Sequence, residues 1–175
     1  MNAPSILFKI DGLATLKALN VRKEGPDDEK IVAVDVKLEF KKVDRRLCDY
    51  FDDAIAEFLW RGETDALIVR NPFLKPLAYV NSIKDATITI GTHEYSGCDV
   101  GKFQIEPQDG GVITFTCSAT VNPNEADIAD LAKAVQDDTQ VSIEGPPDLF
   151  GHNPLGDVVV KLKAINGDLL VGLKD

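Results

Sequence analysis

The chain is poor in most residues that announce a chemistry. It has 3 cysteines, 2 histidines, 1 tryptophan and 1 methionine among 175 residues, and aromatics make up 7%. Cys48, Cys98 and Cys117 are odd in number and widely spaced, which excludes a paired zinc spacing and a disulfide framework. No apolar run approaches the roughly 20 residues that span a bilayer. The opening stretch is interrupted by Lys9, Asp11 and Lys17, so it does not read as a signal peptide. Gly-x-Ser-x-Gly, His-Glu-x-x-His and phosphate-cradling glycine loops are missing. Cations are also in the minority: 19 Lys+Arg against 29 Asp+Glu leave a formal charge of −10. That excludes a uniformly basic nucleic-acid binder and leaves room for a local basic patch. The expected compartment is the cytoplasm, with no cofactor, no metal and no membrane contact.

What the chain does have is alternation. Val32, Val34, Val36, Leu38 and Phe40 share one face of a strand whose other face carries Asp35, Lys37 and Glu39. This period of two, with one wet side, predicts an antiparallel sheet. A strand over Leu13–Lys23 joins it through Gly25-Pro26-Asp27-Asp28 as a hairpin. Ile113, Phe115, Cys117, Ala119 and Val121 repeat the pattern, after strands expected over Ala86–Tyr95 and Lys102–Glu106 and a turn at Gly110-Gly111. Phe40, Phe103 and Phe115 fall on apolar faces and belong to the core, as do Cys48 and Cys117; Trp60 is expected to be partly exposed.

Each hairpin runs into a helical pattern. Asp44 is an N-cap candidate for a helix with Leu47, Phe51, Ile55 and Phe58 on one stripe, ending at Gly62. Asn122-Pro123-Asn124-Glu125 reads as cap, proline at N1 and glutamate at N3, opening a helix striped by Ile128, Leu131, Ala132 and Val135. A short strand follows over Thr139–Glu144. The fold class is therefore α+β: an antiparallel sheet with two helices on one side, in a single domain over residues 1–145. Hairpin-then-helix halves at 13–62 and 86–138 raise a twofold repeat. Residues 146–175 read as a Pro/Gly loop and a terminal hairpin turning at Asn166-Gly167, packed on the domain or on a partner chain, as in a homodimer.

Two charge patterns are candidate sites. Asp49, Asp52, Asp53 and Glu57 on the first helix, with Glu125, Asp127, Asp130, Asp137 and Asp138 on and after the second, offer an acidic surface. Rows of carboxylates imitate nucleic-acid phosphates and fit a basic groove on a nucleic-acid-processing protein, as an inhibitor or DNA mimic would. Conversely, Lys41, Lys42, Arg45 and Arg46 crowd a helix start, a natural receptor for phosphate. With Tyr79 or Tyr95 they would bind single-stranded DNA; the bland alternative is an Arg45–Asp49 pair one turn apart. A third reading is a small hydrolase using His93 or His152.

One resemblance is carried by Cys98-Asp99-Val100-Gly101-Lys102-Phe103-Gln104-Ile105-Glu106-Pro107-Gln108-Asp109-Gly110-Gly111. Over about residues 86–144 the chain resembles uncharacterised phage and prophage proteins encoded among recombination and early genes. In those proteins a similar Cys-x-Val-x-x-Phe-x-Ile-x-Pro-x-x-Gly-Gly hairpin precedes an alternating strand and a helix. The resemblance implies a bacterial-virus setting and a host-cell cytoplasmic location, with no catalytic residue to carry over. The leading expectation is a non-enzymatic accessory protein that binds a basic nucleic-acid-processing partner through its acids.

Overall fold

Strands that alternate must hide one face, and here they hide it in one another. The computed structural model describes residues 7–146 apart from 65 and 74; the expected terminal hairpin and His152 lie outside the described residues. In chain order come β1 (Lys9–Glu24), β2 (Ile31–Asp44), a 3-10 turn (Arg45–Leu47), α1 (Cys48–Phe51), α2 (Ile55–Leu59), β3 (Trp60–Arg61) and β4 (Ile68–Val69). There follow β5 (Leu77–Tyr79), β6 (Ile83–Ile90), β7 (His93–Gln108), β8 (Val112–Val121), α3 (Glu125–Lys133) and β9 (Asp138–Glu144). Pairing runs β1–β2–β8–β7–β6–β9 and back to β1, antiparallel throughout, which closes a barrel of six strands. Closure removes the sheet edges that would otherwise template aggregation. β9 returns through α3 to lie beside β6, making β9–β6–β7–β8 a Greek key. β5 takes over the side of β7 that β6 leaves, pairing Leu77 with Ile105.

The expected antiparallel sheet is thus present, bent into a ring. Three details differ from the expectation. The stretch read as one strand, Ala86–Tyr95, contains a reversal: Ile90 pairs with His93 across Gly91-Thr92, with Gly91 at φ 61°. Glycine at the first of two loop residues suits a tight hairpin, and β7 therefore starts earlier and runs longer than read. The first helix is broken. Asp52 is extended (φ −167°, ψ 134°) and its carboxylate accepts the Ala54 N–H at 2.7 Å, a local bond that competes with the helical ladder. As a result Phe51 is buried but Phe58, expected on the same buried stripe, is 59% exposed. The helix α3 starts two residues late: Asn124, not Asn122, accepts the Asp127 N–H at 2.8 Å, while the Asn122 side chain donates to the Val32 carbonyl.

Inward residues of all six barrel strands fill the interior, and aromatics close one end. Phe8, Phe103 and Phe115 meet Phe51 of α1, Phe8 also meets Tyr50, and Phe40 joins the cluster through Phe115, with ring centroids 5.0–6.3 Å apart. The three thiols are buried, and burial pushes Cys48 and Cys98 up to about 11 and Cys117 to about 12. They are packing groups, protonated at neutral pH.

One polar tie crosses three strands. Arg22 of β1 donates to both carboxylate oxygens of Asp35 on β2, at 2.9 and 3.1 Å, and Thr120 of β8 donates to Asp35 at 2.7 Å. The Arg22 guanidinium holds the Asp35 carboxyl below its ordinary range, with Thr120 adding to it. A depressed carboxylate contributes stability that is fully present above its unfolded value, about pH 4, and is lost as pH falls through the lower folded value. Asp35→Asn is expected to cost about 1 kcal/mol or less at neutral pH, discounted for the pair's solvent exposure. Urea melts across pH check this: the gap between wild type and variant should close in acid, below about pH 4.

Candidate functional site

The cations predicted at the end of β2 owe their placement to a bulge. Pairing of β2 with β8 slips between Phe40 and Val43, and Lys42 sits at φ 55°. A left-handed non-glycine residue costs on the order of 1 kcal/mol. Its effect is to turn Lys41 and Lys42 both outward, where strict alternation would send one of them in. Asp44 then caps the 3-10 turn, accepting the Arg46 N–H at 2.9 Å. This corrects the expectation that free N–H groups await an anion there: the chain's own carboxylate occupies the position. The expected Arg45–Asp49 ion pair is not formed among the described residues.

The tip of the β7–β8 hairpin holds the neighbouring segments. The Trp60 indole donates to the Gln108 carbonyl at 2.8 Å, and the Val69 N–H to the Asp109 carboxylate at 2.9 Å. The Gly110 N–H donates to Leu67 at 2.8 Å, and the Arg45 N–H to Gly111 at 3.2 Å. Gly111, at φ 74°, is needed here, because a Cβ would stand 2.8 Å from the Leu67 side chain and 3.5 Å from that of Arg45. Trp60, expected to be partly exposed, is 2% exposed because its ring is spent on this anchor.

Around this anchor three depressions adjoin. The first, about 520 Å³, is lined by Lys41, Lys42 and Arg46 with Asp11 and Asp44. The second, about 550 Å³, is lined by Arg45, Arg46, Arg61 and Arg70 with Asp49 and Glu57. The third, about 400 Å³, is lined by Arg70, Glu57, Phe58 and Asn71. Arg46 is a wall of the first two, and Arg70 and Glu57 are walls of the last two, so the depressions form a strip. Six cations face four carboxylates along it, a net excess of two in a chain of charge −10. Arg46 pairs with Asp44 at 3.2 Å, Lys41 lies 3.8 Å from Glu39, and Arg70 Nε donates to the Glu57 carbonyl at 2.9 Å. Lys42, Arg45 and Arg61 pair with no carboxylate among the described residues. Arg61 comes from β3 and Arg70 directly follows β4, both well separated in sequence from Arg45, and no local pattern in the sequence links them to it.

The nine acids do not form one surface row along two helices. The break at Asp52 splits Asp49 from Asp53 and Glu57, and Asp49 and Glu57 face the arginines. Asp127 and Asp130 hold His93, at 3.1 Å from Nδ1 and 3.2 Å from Nε2. Asp138 accepts the Thr15 hydroxyl at 2.5 Å. Asp53, Glu125 and Asp137 are exposed. Both nitrogens of His93 are therefore occupied, by α3 carboxylates that pin the helix to the start of β7. Tyr95 is buried, with its hydroxyl unpartnered and pushed up to about 12 by burial and the nearby Asp127. It is no stacking platform, and Tyr79 is half-buried against Phe51 and Phe103. Among the described residues no group of three or more His, Cys, Asp or Glu is arranged to hold a metal ion, and no helix is long and apolar enough to cross a membrane. Comparison with known protein families, with curated proteins and with solved structures finds no match.

Proposed function

We propose that the protein is a non-enzymatic binding module whose cationic strip takes the backbone of single-stranded nucleic acid. The observation that supports this most is the sharing of Arg46 and Arg70 between adjoining depressions, which gives a track for a chain of phosphates in place of a pocket for one. Guanidinium groups supply planar, bidentate phosphate contacts, and three of the cations have no carboxylate partner to displace among the described residues. The acidic remainder repels a polyanion everywhere else, which restricts binding to the strip and makes it sensitive to salt. A phage recombination setting, as the β7–β8 hairpin resembles, fits this reading because recombination exposes single strands.

Docking of the acids on a basic partner is the second proposal. It draws on the exposed Asp53, Glu125 and Asp137, and has less behind it, because Asp127, Asp130 and Asp138 already hold partners within the chain.

Fluorescence anisotropy with a labelled oligothymidylate tests the first reading. Binding is expected at low salt, and raising salt from about 50 to about 200 mM should weaken it about fifty-fold, the figure for about four neutralised phosphates on a single strand. Absence of binding at the lower salt overturns the proposal.

A further inference from the structure

Resting on that reading, we infer that Phe58 and Phe73 form a base-stacking platform at one end of the strip, so that the module recognises unpaired bases as well as phosphates. The two rings are 59% and 92% exposed, on a chain whose other phenylalanines assigned to the core are buried. Phe58 lines the third depression from the end of α2. Asn71 lines it too, and fixes the turn to Phe73 by accepting the Phe73 N–H at 3.0 Å.

Phe58 is exposed for a reason built into the chain. The Asp52 turn restarts the helix, and this takes Phe58 off the stripe that buries Phe51. Arg70 stands between the two phenylalanines in sequence and is a wall of the same depression. Its Nε is held by the Glu57 carbonyl at 2.9 Å, which orients the guanidinium beside Phe58. An aromatic face next to a fixed guanidinium at the end of a cationic track matches a base and its own phosphate. A protein partner seeking only apolar contact would have to leave Lys42, Arg45 and Arg61 without a counter-charge along the same track. A duplex keeps its bases stacked inside and cannot offer them to these rings.

The test compares binding of three labelled polyanions of about 20 nucleotides: oligothymidylate, an abasic deoxyribose-phosphate chain, and a duplex. Wild type is expected to prefer oligothymidylate to the abasic chain by about five- to 160-fold, the range for one stacked base. Phe58→Ala and Phe73→Ala should each shrink that preference while leaving the salt dependence of binding unchanged, with circular dichroism confirming the fold. Equal affinity of wild type for the thymidylate and abasic chains overturns the inference and leaves the backbone reading standing. So does an undiminished preference in both variants. If instead the two variants abolish self-association in sedimentation and do not alter thymidylate binding, the rings serve a second copy of this chain and the inference falls. Failure of every polyanion to bind at low salt removes the backbone reading, and this inference with it.

Discussion

Phe115→Ala is expected to destabilise the protein by about 3–5 kcal/mol, the range for truncating a buried phenylalanine. The side chain is 0% exposed on β8, opposite Phe40 of β2 and Ile105 of β7. Its ring stacks on Phe103 at 5.8 Å and 22°, and lies within 6.3 Å of Phe8, Phe40 and Phe51. Phe40 and Phe103 come from separate strands pinned by their ladders, Phe8 is tied to Gly145 just before β1, and Phe51 comes from α1, so they cannot collapse into the space left behind. Against a typical total stability of about 5–15 kcal/mol, the loss should lower the melting temperature by roughly 10–20 °C. Thermal melts check this; a drop of only a degree or two would mean that the ring is not part of the plug. Because α1 rests on the same cluster, the cations that follow β2 should loosen with it.

The parts of this architecture that were legible in the sequence are those written in local periods. Val32–Phe40 and Ile113–Val121 announce strands because a period of two needs no knowledge of the partner. The Gly110-Gly111 turn and the short final strand were equally readable. Closure of the barrel was not, since it rests on β1–β9, β6–β9 and β2–β8 pairings between segments that do not advertise one another. The bulge at Lys42 was hidden for a related reason: an inserted residue changes which way Lys42 points without changing composition. The unbroken first helix was misread because its apolar spacing is sound. The competing bond, Asp52 to the Ala54 N–H, is a side-chain event that hydrophobic spacing cannot register.

For the candidate site the same division applies. Lys41, Lys42, Arg45 and Arg46 were visible as a run. Arg61 and Arg70 join them only because Trp60, Leu67 and Val69 are all bonded to the β7–β8 tip. The signal that could have found them is the small hairpin around Gly62, whose φ of 105° and 2.6 Å approach of a Cβ to the Ala66 carbonyl demand glycine. That turn brings Arg61 and Arg70 to one side. The acids were overweighted for lack of partners: nothing in the sequence says that His93 will stand between Asp127 and Asp130.

If the strip binds phosphates by position, reversing two of its unpaired cations should matter far more than the same change of net charge elsewhere. Arg45→Glu with Arg61→Glu removes two guanidinium groups and places two carboxylates where phosphates would lie. At roughly 1–4 kcal/mol per charge pair near 4 Å, the range from bulk water to a protein surface, binding of oligothymidylate at low salt should fall at least about a hundredfold. The slope of log affinity against log salt should also become shallower, by about 0.7 for each phosphate that is no longer neutralised. The double variant Lys23→Glu with Lys30→Glu is the matched control. Both lysines are exposed, at the end of β1 and in the turn before β2, at the opposite end of the β1–β2 hairpin from Lys41 and Lys42. It makes the chain as much more negative while leaving the strip intact, so it should weaken binding only a few-fold through the long-range field, within a Debye length of about 8–10 Å. Equal loss in both variants would show that affinity follows net charge alone, and that the arginines around Trp60 make no site.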